Sequence, residues 1–505
     1  MREIQLDGQS LTLEVLAEVA YASHDNVRVS LSKKARDRMD RSRKVIQSML
    51  RGDDAIYGVN TGFGLLSQVR VDKNKLDQLQ INLLRSHAAG VGQPLSIPEV
   101  RAAILLRANT LAQGSSGVST QLVEALLNLL NRGVHPWIPE QGSVGACGDL
   151  APLAHLSLVL IGEGEAFFRG KLISGAAALK AAKLKPYKLQ PKEGLSLING
   201  TQIMTAIGAL TFLRAEALAQ LSDVAGAMTI EALCGSKVPF DEDLHKTRPH
   251  RGQMEVAKNM LRLLEDSEIM ASHANCTRVQ DPYSLRCIPQ VHGVARDTLR
   301  SVRKVLEVEI NSVTDNPLVF VSGKKSKIVN GGNFHGEYVG NAMDQLAIVV
   351  SELANISEQR IEKLINPNFS GLPPFLVDGE GLNSGLMIVQ VAAASLVSEN
   401  KILSHPATVD SIPTSADKED HVSMGTIAAR KARSVVENSW NVIAMEFLAN
   451  SQALEFRKPL APAKKLKKTL AAIRTRVPVI KADRAFHKDV EAIADLMRTG
   501  HLSTR

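Results

Sequence analysis

Apolar residues recur at helical spacing along most of the chain. Between 98 and 131 the positions Val100, Ile104, Leu105, Leu111, Leu122, Leu126, Leu129 and Leu130 follow one helical pattern, and Gly133 and Pro136 end it. Longer patterns cover 203–233, 341–365, 385–404 and 423–456. In the second of these Met343, Leu346, Val350, Leu353, Ile361 and Leu364 form one stripe. A further helix is expected around 33–50. The stretch 165–192 behaves differently: Gly170, Gly175, Pro186 and Pro191 punctuate it, which predicts a hairpin and a short helix. Helices of this length predict a mainly α protein with a long central helical bundle. The expected division is an N-terminal domain over 1–200 and a bundle domain with C-terminal helices over 201–505. Long apolar helices also suggest an oligomer, in which exposed apolar faces meet partner subunits.

Composition strengthens the helical reading. The chain has 505 residues, is 44% hydrophobic and only 4% aromatic, and is rich in Ala and Leu, which lose little on entering a helix. The formal charge is +8 and the pI about 9.2. Much of the excess lies between Lys458 and Lys468, where no aromatic side chain interleaves to stack on bases. That run therefore reads as a solvated surface and not as a nucleic-acid site. The cysteines are Cys147, Cys234, Cys276 and Cys287, with no CxxC pair. Met1 to Asp25 has acidic residues and no uninterrupted apolar core, unlike a leader peptide. No apolar run approaches the ~18 residues that span a bilayer. Together these features predict a cytoplasmic protein with no membrane or nucleic-acid partner.

Several chemistries are excluded. There is no HExxH and no GxSxG, so zinc-protease and serine-hydrolase readings fail and no metal is expected. The glycine-rich run Gly142-Ser143-Val144-Gly145-Ala146-Cys147-Gly148-Asp149 has no Lys-Ser/Thr after its glycines, and its Asp would repel phosphate. Taken alone, it is a tight turn into a helix, with Asp149 as N-cap, Pro152 in the first turn and Cys147 as an inert small hydrophobe.

The segment Gly142–His155 nevertheless closely resembles the signature of the ammonia-lyases that act on histidine, phenylalanine and tyrosine. Further loops match that family in order. They are Tyr57-Gly58-Val59-Asn60-Thr61-Gly62-Phe63-Gly64, Arg85-Ser86-His87-Ala88-Ala89-Gly90, Leu197-Ile198-Asn199-Gly200-Thr201-Gln202, Gln280-Asp281-Pro282-Tyr283-Ser284-Leu285-Arg286, Gly332-Asn333-Phe334-His335-Gly336-Glu337 and Glu419-Asp420-His421-Val422-Ser423-Met424. The resemblance implies a fumarase/aspartase-like bundle, a homotetramer with shared sites, and an N-terminal domain carrying a self-made electrophile. No external cofactor is implied: Ala146, Cys147 and Gly148 would cyclise to a 4-methylidene-imidazol-5-one. The family usually has Ser at the middle position. Cys is a chemically reasonable substitute, because thiolate leaves more readily than hydroxide.

Site roles follow from the same resemblance. Tyr57 and Tyr283 are the candidate bases, and the sequence does not choose between them. Arg286 would clamp the substrate carboxylate in a bidentate pair. Asn199 and Gln280 would hydrogen-bond the substrate or the ring oxygen. Phe334 would stack near the electrophile, or simply pack. Where phenylalanine enzymes resemble Phe-Leu and tyrosine enzymes His-Leu, this chain has Ser86-His87. His87 would bond one imidazole nitrogen of the substrate and Glu419 would accept from the other. Histidine is thus the expected substrate and urocanate the product. Ile288, His292, Asp417-Lys418 and Tyr338 depart from the histidine-type pattern. They keep open a tyrosine ammonia-lyase or an aromatic aminomutase. Cys147 keeps open a non-catalytic relative.

Overall fold

A computed structural model describes residues 1–51, 58–62, 69–274, 279–323, 325–379 and 381–502. Tyr57, Phe63, Gly64 and Cys276 lie outside them. The described chain is mainly helical, with small two- and three-stranded sheets. Among the described residues no helix is long and apolar enough to cross a membrane. The chain divides into two compact units: Met1–Leu210 with 303–344 and 406–430, and Thr211–Val302 with 345–405 and 431–505. The boundary expected after residue 200 places 201–210, 303–344 and 406–430 in the bundle domain instead.

The first unit is organised around the helix Ile97–Ala112, buried on nearly every face. A reciprocal capping box starts it: Ser96 Oγ accepts from the Glu99 N–H, and Glu99 accepts from the Ser96 N–H at 2.9 Å. The single helix expected over 98–131 is in fact two, Ile97–Ala112 and Thr120–Asn131. Gly114 and Gly117 break it with φ of +82° and +70°, and Ser119 caps the second helix by accepting from Leu122 N–H. The hairpin expected in 165–192 is present as Glu165–Phe168 paired with Lys171–Ser174, followed by the helix Gly175–Ala181. The strand Glu165–Phe168 also pairs with Val134–Pro136. A parallel pair, Arg2–Leu6 with Val27–Leu31, and the hairpin Leu318–Ser322 with Lys325–Val329 complete the sheets of this unit that matter here.

The second unit is helical. It contains 211–232 of the helix Gln202–Ala232, 288–302 of Ile288–Glu309, 345–365 of Glu337–Ile365, the helix Met387–Leu403, and 431–453 of Gly425–Ala453. Alongside its apolar core run buried charges that are closely paired. Arg360 donates to both oxygens of Glu446, at 2.6 and 2.8 Å, and neither side chain is exposed. Thr229 and Ser357 hydroxyls donate to the same carboxylate at 2.7 and 2.6 Å. Asp223 accepts from His292 Nδ1 and Asn259 Nδ2, both at 2.8 Å, and from Arg296. Burial opposes the charge on Asp223, yet the His292 hydrogen bond, the Arg296 charge and Asn259 outweigh it and hold its carboxyl below the ordinary range. Two of the departures from the histidine-type pattern belong here: Ile288 and His292 are packed in this interior.

Candidate active site

The glycine-rich run 142–149 is shaped by close backbone approach. Gly148 sits at φ +71°, and a Cβ there would fall on the Gly200 carbonyl. The two glycines form a parallel bridge, extended by Asp149 N–H donating to Gly200 O at 2.7 Å. Gly145, at φ +72°, is equally constrained, since its Cβ would meet Ser423 Oγ. The run is tied to 422–426: Met424 N–H donates to Val144 O at 2.8 Å, and Ser423 Oγ to Gly145 O at 3.0 Å. These contacts leave the backbone of 145–148 no room for side chains at its two glycines and tie it to two neighbouring segments.

Asp149 does precede the helix Leu150–Leu160, but its side chain does not cap that helix. Its Oδ2 accepts from the Ile203 and Met204 N–H groups, each at 2.9 Å, at the start of the neighbouring helix Gln202–Ala232. The long-range cap satisfies two N-terminal donors and lies at the positive end of that helix. Oδ1 accepts from Ser143 Oγ at 3.1 Å and from Thr426 Oγ1. The carboxylate is fully buried and has neutral partners. Burial therefore prevails over these hydrogen bonds and pushes its pKa up to about 6.

Cys147 is held by a neighbouring carboxylate. Its half-buried Sγ donates to Glu419 Oε1 at 3.0 Å, and burial together with that carboxylate drives the thiol pKa well up. Thr414 Oγ1 donates to the other Glu419 oxygen at 2.7 Å. The backbones of Thr414 and Glu419 also pair, with N···O distances of 3.0 and 3.3 Å. Between them Ser415, Ala416 and Asp417 all take positive φ, from +52° to +61°. Such strain in non-glycine residues persists only where the surroundings impose it. Burial works against the Glu419 charge. Hydrogen bonds from Cys147, Thr414 and Ser415, with the nearby His87, outweigh it and hold the carboxyl below its ordinary value.

His87 ends the helix Leu76–His87. Its Nδ1 lies 2.9 Å from Leu83 O. A carbonyl only accepts, so Nδ1 carries the proton and Nε2 is left as an acceptor. Burial lowers the His87 pKa, partly offset by the Leu83 carbonyl and Glu419, so the ring is neutral at neutral pH. Asn199 is buried and donates from Nδ2 to Asn316 O at 3.2 Å, while its Oδ1 has no partner among the described residues. Phe334 is half-buried. Beside it, His335 stacks on His421, with ring centroids 5.8 Å apart and Nε2 3.1 Å from the His421 carbonyl.

In the second unit Gln280, Tyr283 and Arg286 come together. Arg286 Nη2 donates to Gln280 Oε1 at 3.1 Å, and the guanidinium lies 4.4 Å from the Tyr283 ring centroid. Arg286 Nε is buried and without a partner among the described residues. Tyr283 is 70% exposed. Sequence reasoning assigned no site role to Ser143, Asp149, Ser423, Thr426, His335 or His421. The quoted runs Gly332–Glu337 and Glu419–Met424 contain three of them, but which side chain faces which run is a tertiary fact.

The fold, the cradled glycine run and the acceptors around it define an aromatic amino acid lyase: the chain belongs to that family, whose model matches residues 11–475. Among its relatives, the histidine ammonia-lyase of Anaeromyxobacter sp. (strain K) is 53% identical over 511 residues, covering 99% of this chain and 100% of that protein. The crystal structure of histidine ammonia-lyase from Trypanosoma cruzi is 44% identical with a TM-score of 0.92, covering 99% of this chain and 94% of that one. The tyrosine aminomutase of Streptomyces globisporus is similar too, at 38% identity and a TM-score of 0.92, over 99% and 97% of the two chains.

Proposed function

We propose that the chain eliminates ammonia from L-histidine, without oxidation, to give trans-urocanate, on an electrophile made from its own Ala146-Cys147-Gly148 backbone. The observation that carries the substrate choice is the pair of acceptors near Cys147: the Nε2 of a neutral His87 and the Glu419 carboxylate. A neutral imidazole offers one of them an N–H donor and an imidazolium offers both; a phenyl ring offers none. Leaving such acceptors unpaired in a closed site costs ~1–3 kcal/mol each. The 53% identity to a named histidine ammonia-lyase supports the same choice.

The ring supplies an electrophilic exocyclic methylene when formed. The chain's own side chains do the rest. Arg286, with Nε unpartnered among the described residues, binds the substrate carboxylate as a planar fork. Gln280 orients Arg286 through their hydrogen bond. Asn199 Oδ1, without a partner among the described residues, accepts from the substrate, and Phe334 bounds the site. Tyr283, exposed and beside Arg286, or Tyr57 takes the β-proton.

Assembly is part of the proposal. The helix Met387–Leu403 buries only Val389, Ala393 and Asn400, and leaves Ile388, Val391 and Ile402 between 51% and 73% exposed. Such a face suits a homotetramer. We place the enzyme in the cytoplasm, in keeping with its three described cysteines, all free.

The test is to incubate the protein separately with histidine, tyrosine and phenylalanine and follow the conjugated acrylate. Histidine should give robust product. Product from tyrosine and none from histidine would overturn the assignment. The similarity to a tyrosine aminomutase motivates a second reading, in which a β-amino acid accumulates in place of the acrylate.

A further inference from the structure

The thiol of Cys147 is held by a carboxylate that cannot readily turn away. Glu419 Oε1 accepts from Sγ at 3.0 Å and Oε2 accepts from Thr414 at 2.7 Å. The backbone pairing of Thr414 with Glu419 fixes the turn from which the side chain projects.

Ring formation has a definite balance. The Gly148 nitrogen bonds to the Ala146 carbonyl carbon. The Ala146 oxygen leaves as water, carrying the N–H protons of Gly148 and Cys147, and a carbon–nitrogen double bond forms. The Cα proton of Cys147 is then lost and the Cβ–Sγ bond breaks with its electron pair going to sulfur. The departing hydrosulfide takes up that proton, and one hydrogen sulfide is released.

The difficult point is the departure of sulfur. Negative charge develops on an atom whose only hydrogen already points at a carboxylate. Like charges in a half-buried site, where screening is weak, raise that barrier. We infer that Glu419 restrains the self-activation of this chain: it holds the Cys147 thiol and slows loss of sulfur, so newly folded protein persists as an inactive, unmodified form before the electrophile appears. This rests on the proposal that Ala146-Cys147-Gly148 cyclises. It gives Glu419 two successive and opposed roles, a brake on maturation and then a substrate acceptor.

The test separates them. The full chain is made by cell-free translation, quenched in denaturant at intervals, and followed by intact mass, with sulfide release measured in parallel. Wild-type protein should lose one water and one hydrogen sulfide slowly. Glu419→Gln, which removes the charge and can donate to the departing sulfur, should lose them on the order of tenfold faster, yet turn histidine over more slowly once mature. Glu419→Ala should also mature faster, and circular dichroism checks that both variants fold. Merely structural damage would slow both processes. Variants that mature at the wild-type rate, or more slowly, overturn the inference. If the wild type never loses that mass, the electrophile proposal itself fails.

Discussion

Asp149 and Asp223 are the same residue type, both fully buried, and their pKa values move in opposite directions. Asp149, in the first unit, is served by two backbone N–H groups and two hydroxyls. Burial wins and its pKa rises to about 6. Asp223, in the helical unit, has His292, Arg296 and Asn259, and its pKa falls. The difference is the adjacent cation. In the helical unit Glu446 is likewise neutralised by Arg360, whereas Glu231, equally buried there but served by the Ala463 N–H and Ser267, has its pKa pushed up to about 7. Near residues 142–149 the hydrogen-bond donors to carboxylates are neutral: hydroxyls and amides for buried Asp149, a thiol and a hydroxyl for half-buried Glu419. For these buried carboxylates the direction of the shift follows whether a cation stands beside them, not which unit holds them.

The comparison can be broken in order of expected effect. Cys147→Ala removes the leaving group, so histidine turnover should fall by at least about a thousandfold with the unfolding midpoint unchanged. Retained turnover in steady-state assays would detach the site from catalysis. Arg360→Met, in the other unit, should do the reverse. It strands Glu446 and should cost about 3–5 kcal/mol in urea unfolding, while residual folded protein keeps its activity.

The two aspartates should respond to pH with opposite sign. Asp149 binds its proton more tightly folded than unfolded. Its contribution to stability is therefore largest below the ordinary carboxyl value of 3.8 and is lost as pH rises through about 6. Relative to Asp149→Asn, wild-type protein should gain about 2 kcal/mol between pH 7 and pH 4. Asp223 is the opposite case: its contribution is present above the ordinary value and is lost as pH falls through its lowered folded pKa. Wild type should hold a constant advantage over Asp223→Asn from pH 7 to 4 and lose it only in stronger acid. Parallel curves for the two variants would remove the distinction. Smallest of these, His87→Leu should lower histidine turnover roughly ten- to hundredfold and leave folding intact, as read by kcat/KM beside thermal melting.

The long helices were legible because periodicity is local: Gln202–Ala232, Glu337–Ile365, Met387–Leu403 and Gly425–Ala453 match the patterns over 203–233, 341–365, 385–404 and 423–456. The break between Ala112 and Thr120 was hidden because Leu111 and Leu122 stand eleven positions apart, about three helical turns, so the apolar stripe stays in phase across it. Asp149 looked like the cap of its own helix, and only the fold brings Ile203 and Met204 to it. Glu419 was singled out for the substrate. Its hold on Cys147, far away in the chain, could not be read from spacing.

The central claim is that this backbone makes its own electrophile, and intact mass tests it most directly. Natively folded, aged protein should be lighter than its translated sequence by one water and one hydrogen sulfide, with the loss confined to the peptide containing Ala146-Cys147-Gly148. Folded protein that turns histidine over at its full, unmodified mass would contradict the account.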